Sequence, residues 1–210
     1  MKLVNQIGAA ACLLFAACGT APPSAPPPTA GKAEPAASAA KPAQAAFDQT
    51  FELQGITFKV ACAIAGATNK LTITPTGLQA DNTPMTKDID GTVTAADIGD
   101  INADGSPEIY VFVKLSGPDA KGQLVAYSAN KKKSLSEIYL APISDRPMLA
   151  AGYLGHDEFA VVENRIAQRF PIYSGSGPDA KPTGKMRQMQ YELKPGEAGW
   201  TLKLNKTVDF

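Results

Sequence analysis

The chain has 210 residues, with 20 Lys and Arg residues balanced by 20 Asp and Glu residues, and 44% of its residues are hydrophobic. A formal charge of zero excludes the basic surface that nucleic-acid binding requires. One His and three Cys exclude most transition-metal centres, because a site with four nitrogen and sulfur ligands would use nearly all of them. The composition predicts a neutral globular domain over 47–210, preceded by segments of a different kind.

The first eighteen residues read MKLVNQIGAAACLLFAAC. A lysine followed by an apolar stretch too short to span a bilayer is typical of a secretory signal. The stretch ends in LFAAC, which resembles a bacterial lipobox, so we expect a signal peptide over 1–17 and lipidation of Cys18. The alternative is a plain secretory signal cut after an alanine. Gly19 after the cysteine favours the outer membrane, so we expect a periplasmic protein whose lipid anchor is its only membrane contact.

Residues 19–46 are mostly Ala and Pro and contain no large apolar side chain. Nothing in this segment offsets the entropy of ordering, so we expect a disordered linker. If Cys12 leaves with the signal and Cys18 carries lipid, one thiol remains in the domain. That thiol, Cys62, falls on the apolar face of an alternating run, which favours a buried structural thiol over a reactive one.

Apolar residues with a period of two recur through the domain, and no long window has helical periodicity. Glu108–Leu115 is apolar at nearly every position, as expected for a central strand covered on both faces. Asn164-Arg165 is the predicted turn of a hairpin. We therefore predict an all-β fold, an antiparallel sandwich or barrel of eight to ten strands. The predicted strands lie within 56–64, 71–74, 92–98, 108–115, 124–129, 135–140, 159–163, 166–173, 189–193 and 200–204.

One short loop carries oxygen ligands at its positions 1, 3, 5 and 9, which are Asp100, Asn102, Asp104 and Glu108 around Gly105. This spacing allows a loop to curl around a hard cation such as Ca²⁺. Position 12 is already inside a predicted strand, so the loop is not an EF-hand. The alternative is a turn whose side chains bond only its own backbone.

The histidine gives little support for catalysis, because no nucleophile motif accompanies it. We interpret His156 as a hydrogen-bonding residue at the start of a strand, and we predict that the chain is not an enzyme. An unrecognised pair of carboxylates for glycoside hydrolysis stays open as the alternative.

The hexapeptide SGPDAK occurs twice, at 116–121 and at 176–181. Both copies follow a predicted strand and combine a flexible Gly, a stiff Pro and polar tips. Either the two loops share turn chemistry by chance, or one or both are recognition loops on a rigid β scaffold. Lys131–Lys133, by contrast, is expected to be a solvated turn.

Four segments together resemble the periplasmic inhibitors of i-type (invertebrate) lysozyme of Gram-negative bacteria. They are GDINADGSPEIYVFV (99–113), LVAYSANKKKSLSEIYLAPI (124–143), GYLGHDEFAVVENRIAQRFPIY (152–173) and AKPTGKMRQMQYEL (180–193). The resemblance covers essentially all of 47–210. It implies a mainly antiparallel sandwich-like domain that forms a homodimer. It also implies that the protein partner is an i-type lysozyme, and that the chain protects peptidoglycan by inhibiting this lysozyme.

In that family a Ser-Gly-x-Tyr-type loop after the central strand inserts into the lysozyme cleft. The corresponding segment reads KLSGPDAKGQ (114–123). Ser116-Gly117 preserves the start of the motif, or Lys121 stands where the Tyr would be, and the aromatic is missing in either alignment. The resemblance implies that the lysozyme-binding loop consists of Ser116, Gly117, Pro118, Asp119, Ala120, Lys121 and Gly122.

The chemistry of this loop suits a cleft with catalytic carboxylates, because Ser116, the backbone near Gly117 and Lys121 all donate hydrogen bonds. Pro118 stiffens the loop, which reduces the entropy lost on binding. The competing hypothesis is a β-domain lipoprotein, stabilised by calcium, that binds an envelope partner and inhibits nothing.

Overall fold

The computed structural model describes residues 47–175 and 177–210, and it confirms the all-β fold. Within these residues the chain forms twelve strands in two sheets, with two short 3₁₀ turns at Ile143–Asp145 and Gly177–Asp179. The predicted signal peptide, the lipidation of Cys18 and the linker over 19–46 lie outside the described residues.

The first sheet contains four antiparallel strands in chain order. They are β1 (Phe47–Leu53), β2 (Ile56–Ala63), β3 (Asn69–Thr76) and β4 (Met85–Ile89). Alternate side chains of β2 and β3 are buried, which is the period-two pattern that the sequence shows. Cys62 lies on the buried face of β2 at 1% exposure, and burial raises the pKa of its thiol. The prediction of a buried thiol is confirmed.

The second sheet contains eight strands in the order β5-β6-β7-β8-β12-β11-β10-β9 and curls into a nearly closed barrel. Neighbouring strands are antiparallel except β8 and β12, which are parallel and joined by two residue pairs. The strands are β5 (Gly91–Gly99), β6 (Glu108–Leu115), β7 (Gly122–Asn130), β8 (Ser134–Tyr139), β9 (Glu158–Val162), β10 (Arg165–Ser174), β11 (Lys181–Pro195) and β12 (Trp200–Asp209).

Strand β6 belongs to both halves of the core. Ile109, Val111 and Val113 pack against the four-stranded sheet, whereas Tyr110 and Phe112 point into the interior of the curled sheet. All five side chains are less than a tenth exposed. The uninterrupted apolar sequence of this strand therefore reflects burial on both faces, as predicted.

Two strands were not predicted, and both are edges of the four-stranded sheet. In β1 and β4 most side chains are exposed or only half-buried, so their sequences carry no sustained apolar alternation. The turn between β9 and β10 lies one residue earlier than predicted. Glu163 and Asn164 form it, with Glu163 at a φ of 54°, and Arg165 already pairs with Val162.

Candidate functional site

Strand β6 joins the two loops that the sequence singles out. The acidic loop, residues 100–108, leads into β6. Residues 116–122, which we call the recognition loop after their predicted role, follow its last residue. An eight-residue strand that rises about 3.3 Å per residue separates the two loops by about 25 Å. The loops are therefore two separate sites at opposite ends of the strand.

The recognition loop is closed at its base by backbone hydrogen bonds. The Leu115 N–H donates to the Lys121 carbonyl at 2.8 Å. The Ser116 N–H donates to the Asp90 carbonyl, also at 2.8 Å, which ties the loop to the turn before β5. Gly117 has a φ of 118°, a conformation that glycine adopts without strain. The loop thus leaves the sheet in a defined direction.

The segment that precedes β9 holds the middle and the end of the recognition loop. The His156 N–H donates to the Asp119 carbonyl at 2.9 Å, and the Gly122 N–H donates to the Asp157 carboxylate at 2.9 Å. Gly155 lies so close to the backbone of the recognition loop that a Cβ on it would be 2.1 Å from the Asp119 carbonyl oxygen. A glycine is therefore required there for the two segments to meet.

Asp157 is the centre of a hydrogen-bond network that sequence reasoning missed. Besides the Gly122 N–H, its carboxylate accepts from the Tyr153 hydroxyl and from the Gln168 amide, both at 2.6 Å. The Gln168 carbonyl in turn accepts from the Tyr191 hydroxyl at 2.9 Å. Burial, and then the bond to Asp157, raise the pKa of Tyr153, so its hydroxyl stays a donor.

The tip of the recognition loop is polar and exposed. Ser116, Gly117, Pro118, Asp119 and Lys121 are all exposed to solvent. The Lys121 ammonium lies 3.6 Å from the Asp119 carboxylate, so the tip carries one charge of each sign. Its donors are therefore accessible to a partner, but the lysine has a competing carboxylate beside it.

A cleft of about 510 Å³ opens beside the recognition loop. Phe112 and Phe159 line it, and their rings stack with centroids 6.5 Å apart. Lys114, His156 and Glu158 also line the cleft and supply charged and polar groups. The backbone N–H of His156 makes the hydrogen bond described above, and the residue lies two positions before β9.

The second SGPDAK copy lies at the same end of the eight-stranded sheet as the recognition loop. Tyr153 forms a β-bridge with Ile172, and the Tyr173 N–H donates to the Gly152 carbonyl at 2.9 Å. The segment before β9 therefore contacts the recognition loop on one side and the end of β10 on the other. Ser176 is outside the described residues. A binding role for 176–181 stays a prediction.

The acidic loop brings its three carboxyl groups together. One oxygen from each of Asp100, Asp104 and Glu108 lies within 4.8 Å of the others. The two Asp100 oxygens accept from the backbone N–H groups of Asp104 and Gly105, at 3.0 and 2.9 Å. Asp100 also accepts from the Gln54 amide at 2.8 Å, which links the loop to the β1–β2 turn.

Asn102 is engaged within the acidic loop. Its amide donates to the Asp104 carboxylate at 3.0 Å, and its carbonyl accepts from the Asp104 N–H at 3.2 Å. The loop makes the local side-chain-to-backbone bonds of an Asx-rich turn, and its carboxyl groups also converge as hard-cation ligands would. Its side chains do not bond only the loop's own backbone, because Asp100 also accepts from Gln54. Asp100, Asn102, Asp104 and Glu108 remain the residues that would hold calcium.

Glu108 is the buried member of the acidic loop, with no exposed surface. Its carboxyl accepts from the Ile101 N–H at 3.0 Å and from the hydroxyls of Ser128 and Tyr110, both at 3.4 Å. Burial raises the pKa of Glu108 to about 8, and the neighbouring carboxylate of Asp100 contributes further. Without a cation, the neutral carboxylic acid is the stable form near neutral pH.

Within the described ranges, no helix is long and apolar enough to cross a bilayer. No protein-family model matches this chain, and no curated protein is significantly similar to it. The resemblance to lysozyme inhibitors therefore rests on the sequence segments themselves.

Proposed function

We propose that the chain is an inhibitor of i-type lysozyme, tethered to the cell envelope through Cys18 and dimeric, whose recognition loop enters the catalytic cleft. The observation that carries the proposal is the anchoring of an exposed loop at Ser116, Asp119 and Gly122. A loop that is already ordered loses less conformational entropy when it binds, so more of the contact energy appears as affinity.

The loop presents the donors that a lysozyme cleft can accept. Glycosidases of this kind use two carboxyl groups, one protonated and one ionised. The Ser116 hydroxyl and the Lys121 ammonium are exposed, and hydrogen bonds from them to a carboxylate are charge-assisted. A loop in this position would exclude the glycan from the reacting carboxyl groups.

Asp119 opposes this binding. Its carboxylate is repelled by an anionic cleft, and it competes for the Lys121 ammonium 3.6 Å away. The backbone carbonyl of Asp119, not its side chain, anchors the loop to His156. Asp119→Asn should therefore keep the loop in place and lower the inhibition constant about threefold to tenfold, because it removes one unfavourable charge.

The proposal is tested by titrating residues 19–210 into lysozymes of the invertebrate, chicken and goose types while cell-wall lysis is followed. We expect stoichiometric inhibition of the invertebrate type. The double variant Ser116→Ala/Lys121→Ala should inhibit at least about tenfold less well. The control Ser144→Ala/Lys206→Ala removes the same groups from exposed sites outside the loop and should change nothing. An unchanged inhibition constant in the loop variant would contradict the assignment.

The competing proposal is a calcium-stabilised envelope domain that inhibits nothing. The convergence of three carboxyl groups within 4.8 Å favours it. A rise in the melting temperature with calcium, together with no inhibition of any lysozyme at micromolar concentration, would select this alternative. Release of products from peptidoglycan fragments would contradict both proposals, because both describe a protein without catalytic activity.

A further inference from the structure

We propose a second binding site, unrelated to lysozyme inhibition, for an amino-sugar glycan that carries one carboxylate. The site is a groove of about 480 Å³ between the β7–β8 turn, the acidic loop and the start of β12. It lies at the opposite end of β6 from the recognition loop, so it does not rest on the function proposed above. The residues that line it are Asp104, Asn130, Lys131, Lys133, Ser134 and Trp200.

Trp200 supplies the apolar surface of the groove. It is half-buried, and its indole N–H donates to the Asn130 carbonyl at 2.6 Å. The Asn130 amide donates in turn to the Ser136 hydroxyl at 2.8 Å, so the orientation of the indole is fixed. Because the indole N–H already has an acceptor, the ring itself is what a ligand meets. The C–H face of a pyranose ring suits such a surface.

Two lysines bring positive charge to the same groove. The middle lysine of the β7–β8 turn, Lys132, does not line the groove, and its ammonium donates to the Gln54 carbonyl at 2.9 Å. Lys131 and Lys133 line the groove. Among the described residues, neither ammonium lies within 4.0 Å of a carboxylate. Both are therefore available to an anionic group.

The charge of the groove selects among ligands that stack on an aromatic ring. The lining residues Lys131 and Lys133 carry two positive charges against the single carboxylate of Asp104. The Lys132 ammonium offsets the neighbouring Asp100 carboxylate, because both bond Gln54, so the net charge is one positive. One carboxylate on the ligand would balance this charge, so an acidic ligand should bind more tightly than a neutral ligand of the same shape. Asn130, Ser134 and Asp104 offer hydrogen bonds to sugar hydroxyls and acetamido groups.

The intrinsic fluorescence of the protein reports this site directly, because Trp200 is the only tryptophan in the chain. The probes are two disaccharides of equal length, N-acetylglucosamine–N-acetylmuramic acid and di-N-acetylchitobiose, which differ by one lactyl carboxylate. They are titrated into residues 19–210 in EDTA, so that no bound calcium adds charge. We expect a saturable change in emission with the acidic disaccharide and binding about tenfold weaker with the neutral one.

Two variants complete the test. Lys131→Gln/Lys133→Gln should abolish the preference for the acidic disaccharide and keep the weak binding of the neutral one. The control Lys185→Gln/Lys206→Gln makes the same charge change at exposed positions away from the groove and should retain the preference. Unchanged Trp200 emission at millimolar concentrations of both sugars, equal affinity for the two, or a preference that survives in Lys131→Gln/Lys133→Gln would each overturn the proposal.

Discussion

Replacing Glu108 by Gln should change how the stability of the protein depends on pH. Glu108 has no exposed surface, and its folded-state pKa of about 8 lies well above the ordinary value of 4.5. Between these two values the folded state holds a proton that the unfolded state has released. In EDTA, the stabilisation from this proton is therefore complete below pH 4.5 and is lost as pH rises towards 8.

The size of the effect follows from the difference between the two pKa values. Each pH unit in this window reduces the free energy of unfolding by about 1.4 kcal/mol, so the wild type should lose about 2–3 kcal/mol between pH 5 and pH 7 through this group. Gln keeps the shape of the protonated acid and can accept from the Ile101 N–H as Glu108 does. Glu108→Gln should therefore match the wild type near pH 5 and exceed its stability by about 2–3 kcal/mol at pH 7.

Urea denaturation from pH 5 to pH 8 measures this difference. Glu163→Gln, which removes an exposed carboxyl group from the β9–β10 turn, controls for the change in net charge. Parallel pH profiles for the wild type and Glu108→Gln would refute the reasoning. Repeating the series with calcium separates the two interpretations of the acidic loop, because a bound cation would stabilise the ionised carboxylate and raise wild-type stability most at high pH.

Two further substitutions test the anchoring of the loop and of the C-terminal strand. Asp157→Asn should lower the free energy of unfolding by about 2–4 kcal/mol, measured in urea. The carboxylate of Asp157 accepts three hydrogen bonds, and the NH₂ group of Asn would face one or more of the same donors without accepting from them. The control Glu158→Gln, at the next residue, should stay within about 0.5 kcal/mol of the wild type. The hydrogen bonds from Arg187 hold the pKa of Asp209 below its ordinary value, so the stability from this pair is present above pH 3.8 and is lost as pH falls below it. Because Asp209 is 40% exposed, Asp209→Asn should lower the melting temperature by only about 2–4 °C at pH 7 and leave it unchanged at pH 2, and an equal loss at both values would contradict the ion-pair explanation.

Much of the fold could be predicted from the sequence because burial on one or both faces imposes a readable pattern. Side chains alternate in β2 because one face of the strand is buried, and they are continuously apolar in β6 because both faces are buried. The edge strands β1 and β4 bury few side chains, so their pairing is a property of the backbone and of their neighbours. No local pattern identifies such a strand.

The acidic loop could be predicted because its side chains are close in sequence. The spacing of Asp100, Asp104 and Glu108 already implies that one turn brings them together. The network around Asp157 could not be predicted in this way, because its partners Gly122 and Gln168 come from different strands. The sequence drew attention to His156, whose side chain makes none of these bonds, and not to the residue beside it.

The parallel junction between β8 and β12 makes the eight-stranded sheet an assembly of two parts. Only two residue pairs connect the backbone there, yet buried side chains such as Tyr110 and Phe170 from the two sides share one apolar cluster. The chain therefore resembles a heterodimer whose two subunits, 47–139 and 158–209, have been fused by a connecting segment. The connecting segment also packs on the shared cluster through Ile143, Leu149 and Tyr153, so it contributes to the interface between the two parts and also raises their effective concentration.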